Sequence, residues 1–336
     1  MTELTTQYMG LRLRNPLVAS PSPLSYTYEG MQRLADAGVG AIVMYSLFEE
    51  QVREQQAHVA KLVDGPAESF AEALDYMPSV AKEDPGLHPY LNQLERAAAT
   101  LDVPVIASLN GTTPEGWTYI ARDMQEAGAA AIELNIYYLP GDPEISGRAV
   151  EQRHLDVLQS VKQAVTVPVA VKLSPYFSSP GEIALGLDRA GADALVLFNR
   201  FLQPDIDPEE LAILPKVNLS SPADGRLPRA WIALLRGRVT GSLAATGGVE
   251  VAGDVARYLL AGADAVMTTS ALLRHGPAYA TVLLDGLVTW MARKGFHDVD
   301  DLRGMLAVPP DADQAAFERA GYVTAMRAAN AGAYSP

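Results

Sequence analysis

Short apolar runs alternate with amphipathic stretches along most of the chain, and half of the runs share a spelling. Ala37-Gly-Val-Gly-Ala-Ile-Val43, Ala127-Gly-Ala-Ala-Ala-Ile-Glu133, Ala190-Gly-Ala-Asp-Ala-Leu-Val196 and Ala261-Gly-Ala-Asp-Ala-Val-Met267 repeat one phrase. In each, a helical pattern ends at alanine, glycine serves as the cap, and a β-rich run follows. Between these corners lie Asn15-Pro-Leu-Val-Ala-Ser20, Val103-Pro-Val-Ile-Ala-Ser108, Val167-Pro-Val-Ala-Val-Lys172 and Ser242-Leu-Ala-Ala-Thr246. Proline near the head of three of them suits the start of a strand. Interleaved, the two sets predict eight strands. Helices are expected at about 28–37, 91–100, 114–127, 149–165, 181–190, 228–236, 251–261 and 276–294. Continuous apolar strands alternating with helices indicate a parallel sheet covered by helices. Eight such units predict an α/β fold of the (β/α)8 TIM-barrel type, with a doubly wound open sheet as the rival.

The opening, Thr5-Thr-Gln-Tyr-Met-Gly-Leu-Arg-Leu-Arg14, alternates around a glycine and reads as a β-hairpin plugging the barrel's bottom. Three segments are too long to be simple connections: Phe48 to Pro89, Ile136 to Gly147 and Arg200 to Leu227. All three leave the C-terminal ends of strands, the active face of such barrels. One domain is expected for the whole chain, with 295–336 as a C-terminal helical extension that begins Phe296-His-Asp-Val-Asp-Asp-Leu-Arg303.

Composition narrows the function. Of 336 residues, 49% are hydrophobic and 20% charged, as in ordinary globular proteins. The net charge of −14 argues against nucleic acid or an anionic membrane as partner and leaves a small molecule. There is no cysteine, hence no disulfide, thiolate metal site, cysteine-held iron–sulfur cluster or cysteine nucleophile. The five histidines show no metal-ligand spacing. The N-terminus is not a signal peptide and no apolar run reaches membrane-span length, so a cytoplasmic location is expected.

Candidate chemistry gathers at strand ends. Leu243-Ala-Ala-Thr-Gly-Gly-Val-Glu250 breaks into Gly247 and Gly248, which let backbone approach a ligand closely. Ala265-Val-Met-Thr-Thr-Ser-Ala271 breaks into hydroxyls, among them Thr269 and Ser270. The last two strands of such barrels often build a phosphate cup, and these two endings fit one. Lys172, among only six lysines, ends an apolar strand and is expected at the mouth, stabilising negative charge. Asn110, Asn135 and Asn199 end three other strands and could orient a planar heterocycle. Ser20 and Ser46 end the first two. The set suits a flat, electron-accepting ring with a phosphate tail, FMN in particular. No G-x-G-x-x-G follows a strand, which disfavours a Rossmann-bound dinucleotide.

These residues resemble the dihydroorotate dehydrogenase family of FMN-containing barrels, closest to a dihydroorotate dehydrogenase-like branch. The resemblance spans about residues 5–295 and rests on Asn15-Pro-Leu-Val-Ala-Ser20, Glu133-Leu-Asn-Ile136, Val171-Lys-Leu-Ser-Pro-Tyr-Phe177, Ala245-Thr-Gly-Gly-Val249 and Thr269-Ser-Ala-Leu272. It implies FMN held by Ala19, Ser20, Ser46, Asn110, Asn135, Lys172, Gly247, Gly248, Thr269 and Ser270. Asn135 and Asn199 match asparagines that hold the pyrimidine in that family. The resemblance also implies the soluble class, usually a homodimer.

The departures fall on the substrate side. Where the family reads Asn-x-Ser-Cys-Pro-Asn, with cysteine or serine as base, this chain reads Asn135-Ile-Tyr-Tyr-Leu-Pro140. Tyr138 takes the base position, with Tyr137 as its neighbour. Tyrosine, with an ordinary pKa of about 10, is a poor base and a serviceable acid at neutral pH. Tyr45 stands where the family has a lysine touching flavin and substrate. Gly65-Pro-Ala-Glu-Ser-Phe70 offers no counterpart to a substrate-binding asparagine. The leading expectation is therefore an FMN oxidoreductase that exchanges hydride with a small, pyrimidine-like substrate and reduces an activated C=C. The alternatives are dihydroorotate oxidation with an unusual base, a flavin-free lyase or aldolase with Lys172 as Schiff base, and a flavin-bound partner subunit. Any iron–sulfur relay would sit on a separate electron-transfer partner.

Overall fold

The computed structural model describes residues 2–50, 52, 86–111, 114–138, 141–200, 204–214 and 218–330. Gly65–Phe70 and Pro140, singled out above, lie outside the described residues. The chain opens with the antiparallel hairpin β1 (Thr6–Tyr8) and β2 (Leu11–Leu13). Its two-residue turn, Met9-Gly10, has φ of 52° and 76°, the left-handed pair that matches strand twist. Eight parallel strands then close a barrel: β3 (Leu17–Ala19), β4 (Ala41–Phe48), β5 (Val105–Asn110), β6 (Ala131–Asn135), β7 (Val169–Leu173), β8 (Ala194–Leu197), β11 (Ser242–Thr246) and β12 (Ala265–Thr268). The expected (β/α)8 architecture with an N-terminal hairpin is what the chain adopts.

Helices alternate with these strands: α1 (Tyr28–Asp36), α2 (Leu87–Thr100), α3 (Pro114–Glu126), α4 (Gly147–Ala164), α5 (Pro180–Arg189), α6 (Arg226–Leu235) and α7 (Ala252–Ala261). A short α8 (Ser270–His275) precedes α9 (Tyr279–Lys294). Two features were not foreseen. A small hairpin, β9 (Asp205–Asp207) with β10 (Ala212–Leu214), stands in the segment after β8, and α8 interrupts the last connection. The stretch from Phe296 to Arg303 is a run of bends and turns rather than helix. It leads into segments pinned to the barrel's outer helices, as where Leu306 N–H donates to Leu260 and Val308 N–H to Ala233. Helix follows only at α10 (Gln314–Asn330).

The repeated phrase explains both the corners and the interior. Its glycines, Gly38, Gly128, Gly191 and Gly262, all have positive φ, the conformation that ends a helix and turns the chain into the next strand. The fifth residues of the phrase are Ala41, Ala131, Ala194 and Ala265, and the seventh are Val43, Glu133, Val196 and Met267. All of these except Glu133 belong to one buried cluster with Tyr8, Met9 and Leu13 of the N-terminal hairpin. Alternation along a strand puts Glu133 on the same inward face as Ala131. The alanines leave room for the hairpin, which is tied to the strands' N-terminal ends. Met9 N–H donates to Ser242 Oγ at 3.0 Å, and Thr6 Oγ1 donates to the Asp264 carbonyl at 3.0 Å. The larger, outer cluster lies between strands and helices.

Tyr8 is the largest of the hairpin's fully buried side chains. Its ring is fully buried, and its hydroxyl has no hydrogen-bond partner among the described residues. Burial first, then the nearby Glu133 and Asp264 carboxylates, push the phenol well above its ordinary pKa, so it stays neutral. An unpaired buried hydroxyl stabilises nothing, whereas the ring fills the barrel's lower end. Tyr8→Phe should therefore keep or slightly raise stability, and Tyr8→Ala should cost about 3–5 kcal/mol, as for other large aromatic truncations. Urea denaturation of the three proteins checks the order.

Candidate active site

Strand register assembles a polar row at the upper end of the barrel. Asn110 of β5 pairs in register with Asn135 of β6, and Asn135 with Lys172 of β7. Asn199, just past β8, donates from Nδ2 to Asn135 Oδ1 at 2.6 Å. Asn135, Asn199 and Lys172 are thus brought together as expected. Asn110 is nearly buried beside them.

Lys172 has a buried charge partner that the sequence reading did not name. Its Nζ lies 3.2 Å from Glu133 Oε1, and the two residues are 6% and 0% exposed. An uncompensated charge here would suffer heavy desolvation, and the carboxylate offsets it. The signal for Glu133 was already in the repeat: the seventh position is apolar in three copies and acidic in this one.

A cavity of about 280 Å3 opens above this pair. Its wall includes Ser20, Lys172, Asn199, Gly247, Thr269 and Ser270, so six of the expected residues meet around one space. A second cavity, of about 320 Å3, shares Phe198, Asn199, Arg200, Thr246 and Gly247 with the first, so the two adjoin. Gly247 has φ of 91°, and a side chain built there would meet nothing within 4 Å. Gly248 is the reverse case. Its φ is 69°, and an added Cβ would lie 2.4 Å from the Gly225 nitrogen. One glycine keeps the cup open and the other lets two loops pack backbone to backbone.

The hydroxyls brace the cup more than they line it. Thr269 Oγ1 donates to the Ser20 carbonyl at 3.0 Å. Ser270 Oγ accepts from Ser220 N–H at 2.9 Å and lies 2.9 Å from Ser220 Oγ, which in turn accepts from Gly248 N–H at 3.2 Å. Tyr258 donates its hydroxyl to the Gly247 carbonyl at 2.7 Å. Ser220 was missed by sequence reasoning because it sits in the long segment after β8, far from any strand end. Arg200 was missed too. It follows Asn199 directly, lines both cavities and donates from Nη1 to the Asn218 carbonyl at 2.7 Å.

Other expected residues are not in the wall of this cavity. A register shift in β4 between Val43 and Ser46 reverses the alternation of its side chains. Ser46 Oγ consequently lies 2.8 Å from Ser108 Oγ, and Tyr45 packs in the outer cluster with its ring 4.4 Å from Tyr26 and 5.0 Å from Tyr90. Tyr45 is thus turned away from a substrate. Ala19 also packs in the outer cluster, and the cavity wall begins at Ser20. Tyr138 packs against that cluster, with the Arg153 guanidinium of α4 stacked 4.0 Å from its ring centroid. Tyr138 is thus packed toward α4. Past the end of β6 the backbone turns, with Tyr137 N–H donating to the Asn135 carbonyl at 2.9 Å, and Tyr137 is half-buried directly beside the polar row.

No group of three or more potential metal ligands occurs among the described residues, and no helix among them is long and apolar enough to cross a membrane. A closed parallel barrel with polar side chains and a glycine cup at the C-terminal ends of its strands has the layout of an α/β-barrel enzyme. The sequence model of dihydroorotate dehydrogenase matches residues 3–291, and the chain belongs to that family. Among its relatives is the catalytic subunit of dihydroorotate dehydrogenase B (NAD(+)) of Thermoplasma acidophilum, 28% identical over 91% of this chain and 99% of that protein. Another is the NAD-dependent dihydropyrimidine dehydrogenase subunit PreA of Escherichia coli, 25% identical over 90% of this chain and 76% of that protein. A putative dihydroorotate dehydrogenase A (fumarate) of Aeropyrum pernix is 25% identical over 90% of this chain and 97% of that protein. The chain is thus a member of an oxidoreductase family.

Gly248 tests the cup directly. Gly248→Ala combines a left-handed backbone, costing roughly 1–2 kcal/mol for a residue with a Cβ, with a clash against backbone. The variant should melt several degrees lower than the parent in a thermal scan, whereas Gly247→Ala should suffer only the backbone cost.

Proposed function

We propose that the protein is an FMN-dependent oxidoreductase acting on a small, pyrimidine-like substrate. The observation that carries this reading is one cavity with Lys172, Gly247, Thr269 and Ser270 all in its wall. The residues fit the group. The open space over Gly247 and the backbone of the cup suit a phosphate, Lys172 suits an electron-rich ring edge, and one cavity spans the two. FMN, when bound, supplies hydride exchange at N5.

The chain's own residues do the rest. Gly247, Gly248, Thr269 and Ser270 hold the phosphate, with Ser220 bracing them. Ser20, Ser46, Asn110, Asn135 and Lys172 surround the ring, and Lys172 stabilises the negative charge that reduction brings to it. Asn135 and Asn199 hold the substrate's carbonyl and N–H edges, and Arg200 adds a cation at the entrance. Tyr137 is assigned the proton transfer. With a phenol in that role, reduction of an activated C=C is favoured over dihydroorotate oxidation. The names of the relatives keep dihydroorotate as the second reading. Lys172 Nζ is held 3.2 Å from Glu133 in the wall, a placement that suits charge stabilisation more than attack on a carbonyl and so disfavours the lyase reading. A homodimer, and a separate subunit to relay electrons, complete the proposal, since the chain has no cysteine for a cluster of its own.

The purified protein should be yellow and should release FMN on denaturation. A colourless protein that takes up no FMN on titration refutes the reading. Anaerobic dihydroorotate added to the loaded protein separates the two substrates, because bleaching of the flavin band favours the second reading. Tyr137→Phe should slow the substrate half-reaction by about 100-fold or more, the usual scale of acid–base catalysis, without loss of FMN. Tyr138→Phe should have a much smaller effect. Stopped-flow absorbance of both variants checks this, and the opposite order returns the role to Tyr138.

A further inference from the structure

We propose that Glu133 is a positioning residue: it holds the Lys172 ammonium in the cavity wall and balances its charge, and so sets how strongly that wall favours a reduced ring. This rests on the flavin reading of the cavity and deepens it.

Glu133 stands in register with Ala170, two residues below Lys172 on the neighbouring strand, so the carboxylate lies under the ammonium on the inner face of the barrel. The contact is 3.2 Å, and both groups are buried, so water screens it little. Lys172 reaches the cavity wall and Glu133 does not. Any influence of the carboxylate on a ligand therefore runs chiefly through the ammonium. Glu133 Oε2 has no hydrogen-bond partner among the described residues, so Lys172 is the acid's principal polar contact.

The position makes sense only if the charge is used. Val43, Val196 and Met267 fill the equivalent slots with apolar groups. A barrel that needed only packing would use a fourth, since a well-packed apolar pair is often as stable as a buried ion pair or more so. Glu133 instead fixes the direction of a flexible side chain and cancels part of its field. Without the carboxylate, the full positive field of Lys172 falls on the cavity, and the more negative redox state of the ring gains.

The test is a double-mutant cycle on the FMN-loaded protein, comprising wild type, Glu133→Gln, Lys172→Met and the pair, with the midpoint potential of bound FMN as the readout. Glu133→Gln should strengthen binding of reduced relative to oxidised FMN at least tenfold, which is a rise of about 30 mV for a two-electron couple. In the Lys172→Met background the same change should leave the potential nearly unmoved. An unchanged or lowered potential in fully loaded Glu133→Gln overturns the proposal. So does an equal rise in the Lys172→Met background, because Glu133 would then act on the ring directly. Where Glu133→Gln alone does not fold, the double variant decides: recovery of the fold supports the pairing, and failure to recover overturns it. Wild-type protein that binds no FMN refutes the flavin reading itself, and shows this before any variant is compared.

Discussion

A carboxylate and an ammonium face each other at 3.2 Å inside a barrel whose buried apolar strand residues in the inner cluster are alanine, valine, isoleucine and methionine. Neither could be there alone. Removing either partner leaves a buried charge uncompensated, a change that typically costs about 3–5 kcal/mol. The pair therefore constrains what surrounds it. Below, the hairpin must bring a neutral group, which the Tyr8 phenol is. Beside it, β5 to β8 must hold their register, because a slip of one residue would turn Glu133 or Lys172 into the outer core. Above it, the wall must be polar, and the Asn135–Asn199 contact makes it so.

The remainder of the mouth is built from loops that brace one another. Ser220 joins the segment after β8 to Gly248 after β11 and to Ser270 after β12. Arg274 donates to the Ser220 carbonyl and pairs with Glu250, which also lies 2.8 Å from His275 Nε2. Backbone and side-chain bonds thus tie three connections that are far apart in sequence. A cup made this way can be rigid without strands to stiffen it.

Much of the fold was legible because the repeat states it four times. Alanine marks each helix end, a positive-φ glycine each turn, and the alternation after it the inward face. Strand-end residues such as Lys172, Asn135 and Gly247 were legible for the same reason, since a barrel presents its strand ends to one mouth. Three kinds of feature were not. The β4 register shift that turns Tyr45 outward follows from pairing with β5, which single-strand alternation cannot reveal. The orientation of Tyr138 depends on Arg153, which lies on a helix 15 residues further along the chain. Ser220 and Arg200 belong to a long segment whose path is set by tertiary contacts. The charge partner of Lys172 stood in plain view as the acidic member of an apolar series, and only the ion pair gave it meaning.

The N-terminal hairpin has a consequence for traffic. With Tyr8, Met9 and Leu13 stoppering the strands' lower ends, the approach to Lys172 among the described residues is from above. On the proposed reading, whatever delivers electrons and whatever removes them would approach from that upper side, unless the electrons leave sideways through the wall to a docked neighbour.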